Sequence, residues 1–138
     1  KQKYSFGESP RVVCEVLSRI YAKAAIEIEI RDERGFPVIY ASTSPMYGAL
    51  FELVPDHPIR VKLVIGPLPL ARGSYTIHFW LIRPWTENYH VLVEPLRIDI
   101  DSSDPGAVGF DFRQDYGRGA VAVPLRIEGE VASRDSIR

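Results

Sequence analysis

The chain of 138 residues has one cysteine, Cys14. A lone thiol can form no intrachain disulfide and brings no second cysteine to a zinc site, which fits a reducing compartment. Cys14 lies between Val12 and Val16 in an alternating run and reads as a core position, not a nucleophile. Long apolar runs are missing too. No stretch approaches the roughly 18 residues of a membrane span, and no charged-then-apolar leader opens the sequence. The chain begins at Lys1 without an initiating Met, as expected of a domain cut from a longer protein.

Neither sign of charge dominates. Seventeen Lys and Arg against eighteen Asp and Glu leave a formal charge of -1. With no basic run, the sequence argues against a nucleic-acid or membrane-surface footprint. A Gly-x-x-x-x-Gly-Lys-Ser/Thr loop is absent, so the chain is no nucleotide-driven motor, and Gly117-Arg118-Gly119 reads as a turn. His57, His78 and His90 lack metal-site spacing. Scattered acids such as Asp99, Asp101 and Asp104 define no catalytic pair. A non-catalytic domain without metal or cofactor is expected.

What the sequence does have is alternation. Hydrophobic residues make up 46% and charged residues 25%, which is globular usage, and the length suits one domain spanning residues 1–138. Ile26, Ile28 and Ile30 interleave with Glu27, Glu29 and Arg31, the pattern of a strand with one buried and one wet face. Asp32-Glu33-Arg34-Gly35 then turns the chain into Phe36 to Ala41. After a long loop to about Pro58, where Phe51 and Leu53 read as anchors, Ile59, Val61, Leu63 and Ile65 mark another strand.

The prolines of Gly66 to Ser74 make that stretch a connection. Tyr75 to Ile82 places Tyr75, Ile77, Phe79 and Leu81 on one face and Thr76, His78, Trp80 and Ile82 on the other. Leu92 to Asp101, with Leu96, Ile98 and Ile100 inward, then Val108 to Phe112 and Ala120 to Ile127, complete about eight strands. The expected fold class is all-β, an immunoglobulin-like or jelly-roll β-sandwich.

A sugar site needs a flat apolar platform for the C–H face of a pyranose beside hydrogen-bonding groups for its hydroxyls. His78 and Trp80, two residues apart on one face, form the leading pair; the alternatives are that Trp80 covers a second layer or a dimer contact and that His78 is a plain surface residue. If the strand of Arg60 and Lys62 pairs beside Tyr75 to Ile82, those cations make a basic spot near His78 suited to an acidic sugar or phosphate cap. The competing account is a solvated face whose cations pair with Glu27 and Glu29. Arg83, Trp85, Asn88, Tyr89 and His90 fall in a stretch read as the loop after that strand, where scaffolds carry binding residues, though Trp85 also suits a cap on the core. Tyr47 offers a further aromatic in the long loop.

Several segments together resemble a known family. Phe6-Gly7-Glu8, the hairpin Ile30 to Gly35, the stretch Pro67-Leu68-Pro69-Leu70-Ala71-Arg72-Gly73-Ser74-Tyr75-Thr76-Ile77, and Gly117-Arg118-Gly119-Ala120-Val121-Ala122-Val123-Pro124-Leu125 are similar to the C-terminal domain of the ATP-binding subunit, Wzt, of bacterial O-antigen polysaccharide ABC exporters. The resemblance implies a carbohydrate-binding β-sandwich that reads the end of an O-polysaccharide, capped or not, before export. It implies a homodimer that exchanges its last strand. The nucleotide-binding domain of the same subunit and the membrane subunit would be its partners, at the cytoplasmic face of the inner membrane. The alternative is a structural or protein-interaction sandwich without a glycan ligand.

Overall fold

The computed structural model describes residues 2–43, 50–83, 87–91 and 94–130, with the backbone alone for residues 83 and 87–91. Among the described residues nine strands run in chain order: β1 Lys3–Ser5, β2 Arg11–Val16, β3 Ala22–Arg31, β4 Pro37–Ser42, β5 Phe51–Leu53, β6 Ile59–Val64, β7 Gly73–Arg83, β8 Glu87–Val91 and β9 Leu96–Ser102. A single 3₁₀ turn at Gln114–Tyr116 follows. No helix among the described residues is long and apolar enough to cross a membrane.

The strands form two layers. The larger sheet has the order β1-β9-β7-β3-β4, with β5 also on β3 and β8 also on β7. Two long central strands explain this arrangement. β3 pairs with β5 through Ala22 to Ala24 and with β4 through Glu27 to Arg31, while β7 pairs with β9 through Gly73 to Ile77 and with β8 from Trp80 onward. β2 and β6 form a separate two-stranded antiparallel sheet.

Alternation dictates which side of each strand meets the core. Ile26, Ile28 and Ile30 of β3 and Tyr75, Ile77, Phe79 and Leu81 of β7 are buried in one cluster with Ile98 and Ile100 of β9. Cys14 and Val16 of β2 close the cluster from the second layer, and Ile59, Val61 and Leu63 of β6 pack against it. Burying each large side chain removes it from water at a gain of about 1.5–3 kcal/mol. The Tyr75 hydroxyl, carried inside with its ring, donates to the Ala71 carbonyl at 2.6 Å, so this buried donor has its acceptor.

The turn chemistry follows the sequence. The Asp32 carboxylate accepts from the backbone N–H groups of Arg34 (2.9 Å) and Phe36 (3.0 Å), and Gly35 takes a φ of +84° that a β-carbon would disfavour. The Pro-rich connection from β6 to β7 carries the chain from the small sheet to the large one. Its leucines serve the interior: Leu68 and Leu70 are buried, and Ser103 Oγ donates to the Leu70 carbonyl at 2.9 Å.

Four expectations are corrected. β6 does not lie beside β7, because β7 has β3 on one edge and β8 and β9 on the other. Val108 to Phe112 is no strand: Asp104 gathers the loop by accepting from the N–H groups of Val108 and Gly109, and only Phe112 turns inward. Ala120 to Ile127 is also no strand within this chain. Val121 makes one bridge to Leu70 and Ala122 N–H donates to the Pro69 carbonyl, after which Val123 to Leu125 border a cleft with Phe6, Pro105 and Gly106 without forming a strand. Leu96, expected inward, sits at the open start of β9 and is 41% exposed.

Candidate functional site

The outer face of the large sheet is built from the positions that alternation turns away from the core. Register sets them in rows. Trp80 of β7 stands opposite Glu27 of β3, His78 opposite Glu29, and Thr76 opposite Arg31. On the other edge of β3, Glu29 is opposite Tyr40 of β4. On the other edge of β7, Thr76 is opposite Arg97 and Ser74 opposite Asp99.

The side chains interlock across those rows. The His78 and Trp80 rings stack with centroids 6.1 Å apart and planes 19° apart. Arg31 folds back along its strand, donating from Nε to Glu29 Oε1 at 2.6 Å, and its guanidinium lies over the Trp80 ring, 6.0 Å from the centroid. Such a cation over an indole adds a modest attraction. Tyr40 reaches diagonally and donates its hydroxyl to Glu27 Oε2 at 2.8 Å. Thr76 Oγ1 and His78 Nε2 are hydrogen-bonded at 2.9 Å. At the far end Ser74 Oγ donates to Asp99 at 2.7 Å and Arg97 lies 3.6 Å from the same carboxylate.

Two titrations are moved by this packing. Partial burial, with the nearby Arg31 cation adding to it, pushes the His78 imidazole below its ordinary value, against a smaller opposite pull from Glu29. Burial and the hydrogen bond to Glu27 push the Tyr40 phenol up. At neutral pH the face therefore offers a neutral imidazole, a neutral phenol, an indole platform and carboxylate oxygens. It combines ring surface with hydrogen-bond acceptors and donors, which is what a polyhydroxylated ligand requires.

The residues expected from sequence divide three ways. His78 and Trp80 are brought together as expected. Arg60 and Lys62 are not: both are exposed on the outer side of β6, in the other layer, where Arg60 stands opposite Glu15 and Lys62 opposite Val13. Glu27 and Glu29 consequently face Trp80 and His78, not those cations. The third group follows Trp80. Residues 87–90, expected in a loop, belong to β8 and turn back along β7, with Asn88 opposite Ile82 and His90 opposite Leu81. For Arg83, Asn88, Tyr89 and His90 the structure gives the backbone position only, and Trp85 and Tyr47 lie outside the described residues.

The structure adds Glu27, Glu29, Arg31 and Tyr40 to the face expected around His78 and Trp80; alternation alone places the first three on its wet side. The hairpin through Asp32 to Gly35 was the available signal for Tyr40, since it fixes β4 beside β3. Among the described residues no group of three or more His, Cys, Asp or Glu could hold a metal ion.

A second feature lies at the open side of the sandwich. An apolar cleft of about 490 Å³ separates β4 from β6 and the following connection, lined by Ile26, Ile39, Leu63, Ile65, Pro67 and Pro69 among others. Among the described residues β4 pairs only with β3, and β6 only with β2, so both strands present a free edge to it.

No protein-family model and no curated protein sequence matches the chain. In three dimensions it is similar to a solved structure described as the C-terminal domain of Wzt, with a TM-score of 0.70 and 12% identity over 93% of this chain and 74% of that one. At this identity the likeness is one of fold, and the all-β sandwich of this chain is the fold of the C-terminal domain of Wzt.

Proposed function

We propose that the chain is a non-catalytic carbohydrate-binding domain whose outer sheet face, centred on His78 and Trp80, recognises the terminus of an O-polysaccharide. The stacked His78–Trp80 pair, set among Tyr40, Glu27, Glu29 and Arg31, carries this reading, because it joins a ring platform to hydrogen-bonding groups on a rigid sheet. The fold shared with the C-terminal domain of Wzt supports it. On this reading the chain is one domain and the C-terminal part of an ATP-binding exporter subunit. It works at the cytoplasmic face of the inner membrane and couples a recognised glycan end to export.

The working unit on this reading is a homodimer that exchanges its last strand. The tail supports it: Val123, Leu125 and Ile127 alternate with polar or small residues and are 76%, 96% and 89% exposed. An alternating strand without a neighbour is unfavourable in water unless a partner covers it. The cleft between the free edges of β4 and β6 offers an apolar place for such a strand from a second copy.

Calorimetric titration with O-polysaccharide and with unrelated glycans tests the binding claim. Saturable heat with the former, lost in Trp80→Ala while the thermal melt is kept, is the expected result. Equal binding by the variant, or none by the wild type, overturns it.

A further inference from the structure

The charge on the outer face points to the class of sugar it takes. Around the Trp80 platform the described strand side chains supply the carboxylates of Glu27, Glu29 and Asp99 and the cations of Arg31 and Arg97. Each cation already has a carboxylate: Arg31 holds Glu29 at 2.6 Å and Arg97 lies 3.6 Å from Asp99. Glu27 is different. Its hydrogen bond comes from the uncharged Tyr40 hydroxyl, and its register partner is Trp80 itself. Among the described side chains no cation is paired with Glu27, which stands beside the ring platform. His78 adds no fixed positive charge at neutral pH, since burial and Arg31 hold its protonation down.

Carboxylate oxygens accept hydrogen bonds and donate none when ionised, and such charge-assisted bonds from hydroxyls are short and strong. A ligand carboxylate or phosphate brought to the same place meets like charge in a partly desolvated setting, which suppresses wrong partners. Arg60 and Lys62, the cations expected from sequence to grip an anion near His78, are on the other layer.

We infer that this face selects an uncharged glycan terminus, whose hydroxyls donate to Glu27 while a pyranose ring lies on Trp80, and that it discriminates against sugars bearing a carboxylate or phosphate there. The inference rests on the glycan-binding reading above and names its ligand class.

The test applies the whole chain to an array of bacterial surface polysaccharides, neutral and uronate- or phosphate-bearing, followed by titration of the strongest binder. The expected binder is neutral, its affinity changes less than about twofold between 0.05 and 0.5 M NaCl, and TEMPO oxidation of its primary hydroxyls to carboxylates weakens it about tenfold or more. Glu27→Gln, which keeps size and folding, should weaken the neutral glycan and shrink the preference over the oxidised form. Preferential binding of an anionic polysaccharide, or an unchanged preference in Glu27→Gln, overturns the neutral-glycan inference while leaving glycan binding intact. Binding to no polysaccharide overturns both.

Discussion

The rings of His78 and Trp80 stand 6.1 Å apart on the outer side of β7, and the Arg31 guanidinium lies over the second of them. The arrangement has a pH consequence. His78 is protonated less readily in the fold than in the open chain, so the unfolded state binds more protons just below the ordinary histidine value of about 6.5. Its contribution to stability is complete above that pH and is lost as pH falls through it. Urea unfolding at pH 7.5 and 5.5 should show a smaller loss of midpoint on acidification for His78→Asn than for the wild type. Identical losses would contradict the assignment.

Trp80 lies on the outer face, and Phe79, its neighbour in sequence, points the opposite way and is 1% exposed. Phe79→Ala should therefore cost stability, about 3–5 kcal/mol by cavity formation, where Trp80→Ala leaves the melt close to wild type. Thermal denaturation of both variants reads the difference directly. A larger loss for Trp80→Ala than for Phe79→Ala would mean that the indole is a core group.

Gly73 marks where the Gln114 side chain crosses the start of β7. Gln114 Nε2 donates to the Ser74 carbonyl at 3.0 Å, and a β-carbon on Gly73 would lie 2.6 Å from that nitrogen, at a φ of +154°. Gly73→Ala should destabilise by about 1–3 kcal/mol, measured by chemical denaturation. A neutral effect would show that Gln114 can move aside and that the backbone relaxes.

Val123, Leu125 and Ile127 follow the last bridge of the domain with their apolar side chains exposed to water. A chain ending at Ala122 keeps the contacts of Ala120 and Ala122 with the Leu70 segment and loses the exposed strand. Light scattering should find the full chain dimeric and the shortened chain monomeric yet folded. A dimer that survives the truncation would place the interface elsewhere.

Much of this was legible in the sequence, for a physical reason. Alternation at period two follows from strand geometry alone, so Ile26 to Ile30 and Tyr75 to Leu81 announced their buried faces, and His78 with Trp80 had to share the other. Neighbours are another matter. Nothing in the alternation of Ile59 to Ile65 says which edge it pairs with, and the Pro-rich connection after Gly66 carries the chain into the other layer. That separated Arg60 and Lys62 from His78 and brought Glu27 and Glu29 there instead. The tail after Ala120 alternates as a strand should, yet a strand needs a partner, and this chain alone supplies Val121 with one bridge.

The outer face of β3, β4 and β7 is the proposed glycan surface, and NMR titration of the labelled chain with its strongest-binding polysaccharide tests that most directly. The Trp80 indole N–H and the amides of Glu27, Glu29, Tyr40 and His78 should shift together and saturate with one affinity, leaving Arg60 and Lys62 unmoved. Shifts confined to β2 and β6, or to the apolar cleft beside β4, would contradict it.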